Sequence, residues 1–215
     1  MPVPSTTKFL LTEVKTMNVL IIQSSPRGEE SVTRKLTQEL LERLGAREGL
    51  HVTERDLTSN PLPHLRPAQL AAFFTPAEQR SDALREAVRL SDETVDELLA
   101  ADAVVISVPM WNFSVPSVLK AWIDHVVRAG RTFSYGPDGP KGLVADKPVY
   151  VISASGGVFS SGPLRNMDFL EPYLKAVLGF IGIHDVTCTR AEWLSDPRVK
   201  DVAYARAQEK IAAIA

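Results

Sequence analysis

Three short runs in this chain are apolar almost without interruption: Asn18-Val19-Leu20-Ile21-Ile22-Gln23, Ala103-Val104-Val105-Ile106-Ser107-Val108 and Pro148-Val149-Tyr150-Val151-Ile152-Ser153. A strand with one wet face alternates apolar and polar residues. A run that is apolar on both faces belongs to a strand covered on both sides, as in a parallel sheet whose crossovers lay helices over each face. The sequence between the runs supplies such helices. Val32, Leu36, Leu40, Leu41 and Leu44 form one stripe at helical spacing, started near Ser31 and closed by Gly45. Val115, Leu119, Trp122, Ile123 and Val126 form another, with Pro116 in its first turn and Gly130 beyond its end.

The remaining segments complete the alternation. Leu50 to Leu57 is a second strand, nearer an edge because His51-Val52-Thr53-Glu54-Arg55 is polar; Ser91 to Ala100 is a helix feeding the Ala103 strand. Tyr135 to Gly142 is a glycine- and proline-rich loop, and a helix from about Asp168 to Leu178 precedes a final strand at Ile183 to Thr189. A terminal helix starts at Asp196-Pro197. Five strands alternating with helices predict an α/β fold: a doubly wound, five-stranded parallel sheet of order 2-1-3-4-5 with helices on both faces. Residues 1–16, with Pro2, Pro4, Ser5, Thr6 and Thr7, read as a loose N-terminal leader, and 17–215 as one domain. Within it, residues 58–90 open on Asn60-Pro61-Leu62-Pro63-His64-Leu65-Arg66-Pro67 and read as a surface excursion.

Composition excludes several classes of function. An apolar content of 45% and a charged content of 23% fit a soluble globular protein, and a net charge of -2 argues against a nucleic-acid partner. The single Cys188 excludes an internal disulfide and reads as a small buried residue; the four histidines show no metal spacing. His125 reads as a surface or interface residue. No run approaches the roughly 18 apolar residues of a membrane span, and Met1 to Thr16 does not read as a secretory signal, so a cytoplasmic location is expected. A G-x-S-x-G nucleophile elbow is absent, as are G-x-G-x-x-G after the first strand and G-x-x-x-x-G-K-[ST].

Strand ends carry the chemistry, because open α/β sheets bind ligands just beyond the carboxyl ends of their strands. The first loop, Ser24 to Thr33, places Ser24, Ser25, Ser31 and Thr33 around a helix start, where free N–H groups and the helix dipole suit a phosphate; simple N-capping by Ser31 explains one of these hydroxyls. The second, Pro109-Met110-Trp111-Asn112-Phe113-Ser114-Val115-Pro116, is a lip of aromatics and an amide that suits a flat ring, or else covers a core edge. The third, Ala154-Ser155-Gly156-Gly157, lets backbone N–H groups meet a ligand closely, or is a plain turn. Together they match the phosphate, ring face and ring edge of FMN. No acid–base set stands out, as suits a protein whose cofactor carries the chemistry.

In order and spacing, several segments resemble the FMN-dependent NADH-azoreductases, also described as NADH:quinone oxidoreductases, of the flavodoxin-like superfamily. They are Ser24-Ser25-Pro26-Arg27, Pro109 to Phe113, Leu119-Lys120 through Arg128 to Phe133, Gly139 to Leu143, Gly156-Gly157, and Tyr173-Leu174 through Leu178 to Ile183. The resemblance runs from about Met17 to the C-terminus and is weakest over 58–90. It implies FMN contacts at Ser25, at Ser31, Val32 and Thr33, at Met110, Trp111, Asn112 and Phe113, and at Ala154, Ser155, Gly156 and Gly157. Val32 offers only its backbone N–H, Trp111 keeps ring contact without a phenol hydroxyl, and Ala154 and Ser155 depart from the Ser and Arg usual there. Phe133 and Phe159 are carried as substrate-pocket residues, with no residue in a catalytic acid–base role. The resemblance further implies a homodimer with a site at each interface and a ping-pong transfer of hydride from NADH or NADPH through FMN to quinones and azo compounds. A flavodoxin-like electron carrier and a non-catalytic flavin-binding module are the alternatives.

Overall fold

A computed structural model describes residues 16–45 and 49–214. The first apolar run forms β1 (Thr16–Gln23), which pairs in parallel with both β2 (Gly49–Asp56) and β3 (Ala103–Pro109). The run at 148–153 becomes β6 (Val149–Ala154), parallel to β3 on one side and to β7 (Val186–Ala191) on the other. The sheet order is β2-β1-β3-β6-β7, which is 2-1-3-4-5 when only its five strands are counted. Two more strands, β4 (Phe133–Gly136) and β5 (Gly139–Gly142), form a separate antiparallel hairpin from what the sequence presents as a loop. Its glycines and prolines hid it, because they carry no period-2 signal.

Alternation along the strands divides the core in two. Leu20, Ile22, Val104, Ile106 and Val108 face one layer, packed on α4 (Ser117–Val126), α5 (Glu171–Ile181) and the end of α3 (Asp82–Ala100). Val19, Ile21, Val105 and Ile152 face the other, against Leu36 and Leu40 of α1 (Val32–Gly45) and Ala207 and Ile211 of α6 (Lys200–Ala212). Trp122 is fully buried in the first layer. The half-buried Cys188 lies on β7, where burial pushes its thiol up to about 12, and it has none of the character of a reactive thiol.

Three helix starts differ from the sequence reading for identifiable reasons. α3 begins at Asp82, well before Ser91, and Ser81 caps it by accepting from the Leu84 N–H at 3.4 Å. Its outer turns are rich in charge, with Arg89 paired to Glu86 and Glu93, and these charges obscure an apolar face that continues through Leu84 and the buried Val88. Asp168 and Asp196, read as first helical residues, instead organise the preceding turns: Asp168 accepts from the Leu170 and Glu171 N–H groups, and Asp196 from the Arg198 N–H.

The 58–90 segment is tied down along its length. It contains α2 (Pro67–Phe74), a short 3₁₀ turn at Ala77–Gln79 and the start of α3. The buried Arg128 guanidinium stacks 3.9 Å over the Phe73 ring, donates to Ser91 Oγ at 2.5 Å and lies 3.3 Å from the Asp92 carboxylate. His125 is fully buried within the chain, which corrects its reading as a surface or interface residue. Its Nε2 donates to the Pro63 carbonyl at 2.8 Å, which fixes the tautomer and pins the Pro-rich stretch to α4. Burial pushes its pKa below the usual histidine value, against the opposing pull of the Pro63 carbonyl. Of the expected leader, residues 1–15 lie outside the described residues, and Thr16 opens β1.

Candidate active site

The parallel register brings the carboxyl ends of β1, β3 and β6 side by side, and the loops that follow them share one cleft. Ser25, Ser31, Val32 and Thr33 line it from the first loop, Met110 and Trp111 from the second, and Ala154, Ser155 and Gly156 from the third. Arg27, Pro109, Leu194 and Ser195 complete the lining. Asn112, Phe113 and Gly157 stand beside the cleft rather than on its wall.

At the first loop the hydroxyls divide their labour. Ser24 Oγ donates to the Ser107 carbonyl at 2.8 Å, and Ser107 Oγ donates to Thr33 Oγ1 at 2.8 Å, so both are spent holding β1, β3 and α1 together. Ser31 Oγ lies 3.0 Å from Thr33 Oγ1 and caps α1 by accepting from the Arg34 N–H at 3.4 Å. The Lys35 N–H reaches the Ser31 carbonyl, so the Val32 and Thr33 amides, ahead of the α-helical ladder, are the donors left at this end of the helix. They coincide with the positive end of the helix dipole. An anion of phosphate size is the ligand that such an arrangement attracts.

Behind this loop stands a cation the sequence reading did not single out. Arg34 donates to the Ser25 carbonyl at 3.2 Å, to Asp56 at 2.8 Å and to Thr58 at 3.4 Å, and so ties the first loop to the end of β2. Burial alone would push the Asp56 carboxyl up, but hydrogen bonds from the Thr58 side chain, Arg34, the Thr58 N–H and Ser59 outweigh it. They hold Asp56 far below the usual carboxylate range.

The lip is a tight two-residue turn. Trp111 and Ser114 exchange both backbone hydrogen bonds at 3.0 Å, with Asn112 at φ 47° and Phe113 at φ 72°. Positive φ at both central positions is the geometry of a type I′ turn, which asparagine tolerates and phenylalanine ordinarily does not. Surrounding contacts hold Phe113 there: its carbonyl accepts from the Phe169 N–H at 2.9 Å, and its ring meets Phe159 edge-on with centroids 6.0 Å apart. Trp111, half exposed at the cleft, is left with an open face. Phe159 thus supports the lip from behind, whereas Phe133 packs away from the lining against Tyr135 and Phe180.

In the third loop the two glycines differ. A Cβ at Gly156 would lie 2.3 Å from Ser195 Oγ, so the chain after β7 approaches this residue too closely for a side chain with Ser195 as it stands. A Cβ at Gly157 would meet Phe159 at 3.3 Å and Leu164 at 3.6 Å, on the side of the 159–164 segment. Ser155 Oγ donates to the Gly157 carbonyl at 2.8 Å, which sets the turn.

Residues 17–215 match the family described as having a flavodoxin-like fold. The chain belongs to that family. It is 52% identical over 175 residues to the FMN-dependent NADH:quinone oxidoreductase of Herminiimonas arsenicoxydans, which covers 81% of this chain and 86% of that protein. Among solved structures of this fold, an azoreductase from Bacillus anthracis str. Sterne superposes with a TM-score of 0.85 at 29% identity, covering 92% of this chain and 98% of the other. An FMN-dependent NADH-azoreductase from Bacillus anthracis str. Ames Ancestor, solved in complex with FMN, gives 0.80 at 27% identity, covering 93% and 99%. The family's flavodoxin-like fold accounts for the sheet order and for the convergence of the strand-end loops.

Proposed function

We propose that this chain is an FMN-dependent oxidoreductase that passes reducing equivalents from NADH to quinones and azo compounds. One observation carries the reading: a helix start with two free amides, a half-exposed indole and a glycine turn closely approached by Ser195 border the same cleft. Each would meet a different part of FMN. The residues fit that group: the amides of Val32 and Thr33 with Ser25 would hold the phosphate, Met110 and Trp111 would cover the ring, and the Gly156 N–H would meet its polar edge. Bound there, the flavin supplies hydride acceptance and donation.

The chain's own residues set the conditions for that chemistry. The backbone N–H at Gly156 would stabilise negative charge on the ring edge without reorganising. The open face of Trp111 would take one face of the ring, and an opposite face left free would receive a flat donor and a flat acceptor in turn, which suits ping-pong exchange. Trp111, Phe113 and Phe169 are exposed beside the cleft, with Tyr135 and Phe74 exposed elsewhere. Exposed large apolar groups of this number support a homodimer whose interface adjoins the site. Among the described residues no helix is long and apolar enough to cross a membrane. A cytoplasmic location follows from the NADH supply that the reaction needs.

The test is reconstitution with FMN followed by titration with NADH and a benzoquinone. The expected result is a yellow protein whose flavin is bleached by NADH and reoxidised by the quinone. A protein that shows neither flavin absorbance nor quinone-dependent NADH oxidation would overturn the reading.

A further inference from the structure

The cleft has a wall that none of the three expected loops supplies. It is formed by residues 192–196, which follow β7 and bend back over the glycine turn. Three backbone hydrogen bonds fasten them there: Trp193 N–H to the Gly157 carbonyl at 3.2 Å, Leu194 N–H to the Ser155 carbonyl at 3.1 Å, and Ser195 N–H to the Gly156 carbonyl at 3.2 Å. To make this bend Trp193 sits at φ 70°, a left-handed conformation that is strained for a bulky residue. At the near end of the strap, Glu192 accepts from the Phe159 and Ser160 N–H groups at 2.7 Å each. The strap is therefore held at both ends, and strain of this kind persists only where its surroundings over-determine it.

The strap brings one polar side chain to the cleft. Ser195 Oγ occupies the space that a Cβ on Gly156 would need, and Ser195 lines the same cavity as Met110, Trp111 and Gly156. Among the described residues neither Ser195 Oγ nor the Gly156 N–H has a hydrogen-bond partner within the protein. Two adjacent donors, one side chain and one backbone, thus stand where the third loop meets the cleft. A phosphate is already provided for at the opposite loop, and an apolar ligand would leave both donors without partners. What suits them is the edge of a heteroaromatic ring that carries carbonyl and ring-nitrogen acceptors.

We infer that Ser195 is a further flavin-binding residue, its hydroxyl donating to the polar edge of the isoalloxazine ring beside the Gly156 amide, and that the 192–196 strap exists to place it. The inference rests on the flavin reading and assigns a residue to it. A donor there strengthens as the ring gains negative charge, so Ser195 favours the reduced flavin over the oxidised one.

Ser195→Ala isolates the hydroxyl, because it keeps the Cβ that packs on Gly156 and leaves the three backbone bonds in place. Binding is measured by quenching of flavin fluorescence, with FMN and riboflavin side by side, and the midpoint potential of the bound flavin by dye equilibration. The expected result is a loss of about 3- to 15-fold in affinity, equal for FMN and riboflavin, with a more negative potential and an unchanged apoprotein Tm. Wild-type affinity for both flavins at an unchanged potential overturns the inference, as does a loss confined to FMN, which would place the hydroxyl at the phosphate. Wild-type protein that binds no flavin removes the reading beneath it as well, so the two failures are distinguishable.

Discussion

The turn at Asn112 and Phe113 shows what one residue's backbone can decide. Both have positive φ, 47° and 72°, without a glycine between them, so the lip is aimed by strain that the Phe159 and Phe169 contacts restrain. Asparagine tolerates this region because its short side chain bonds locally, whereas alanine does not. Asn112→Ala should therefore destabilise the apoprotein by about 1 kcal/mol, a fall of roughly 2–4 °C in Tm for a chain of this size, and weaken FMN binding with it. Asn112→Gly restores the freedom to adopt positive φ and should leave Tm near the wild-type value while weakening FMN less. Equal Tm for the two variants in a thermal melt would show that the turn is not strained. Such strain is invisible to pattern reading: Asn-Phe gives no turn signal of the Asn-Gly kind. The sequence pointed to aromatics and an amide at this position, and only the dihedral angles show how the chain presents them.

At the scale of elements, the joint between β2, α1 and the first loop is electrostatic. Arg34 of α1 bridges the Ser25 carbonyl, Asp56 at the end of β2 and Thr58 just beyond it. The Asp56 carboxyl is held below its unfolded value, so its stabilising contribution is complete above the ordinary carboxylate range near pH 4 and is lost as pH falls through the folded value. Chemical unfolding from pH 7 downward should show stability falling below about pH 4 in wild type, with a shallower acid limb in Asp56→Asn. At pH 7 the same variant should be less stable by about 1–3 kcal/mol, the range for hydrogen bonds to a charged group. An acid limb of the same slope in both proteins would mean that other carboxylates carry it. The apolar runs made the β1, β3 and β6 elements readable from sequence, because a strand buried on both faces has few other ways to look. The joints between elements were not readable. Arg34, Arg128, His125 and Asp56 are polar residues whose partners lie far away in sequence or belong to loops, and no local pattern announces a partner. The β4–β5 hairpin and the strap at 192–196 escaped for a related reason: their conformations are set by contact with Gly182 and with the glycine turn respectively.

For the molecule as a whole, the site's composition makes the ligand part of the fold's stability. The cleft edges are loops, and each is secured to its neighbours by a few bonds; the Met110 N–H to the Ala154 carbonyl at 2.8 Å joins lip to glycine turn, and the strap joins the glycine turn to β7. A ligand touching all of them stabilises the native state by mass action, about 2.7 kcal/mol when its free concentration is a hundredfold above Kd. At about 2–4 °C per kcal/mol for a chain this long, FMN at that concentration should raise Tm by roughly 5–11 °C, whereas riboflavin matched in concentration should raise it less because the Val32 and Thr33 amides gain no phosphate. The same melt tests assembly. If the aromatics beside the cleft form a dimer interface, Phe169→Glu, which places a charge on an exposed ring position, should shift sedimentation from dimer to monomer and reduce the FMN-induced rise in Tm. The apoprotein variant should remain folded by circular dichroism, since Phe169 is on the surface and its backbone bond to Phe113 does not involve the ring. A variant that stays dimeric with an unaltered FMN-induced shift would place the interface elsewhere and make each protomer's cleft sufficient by itself.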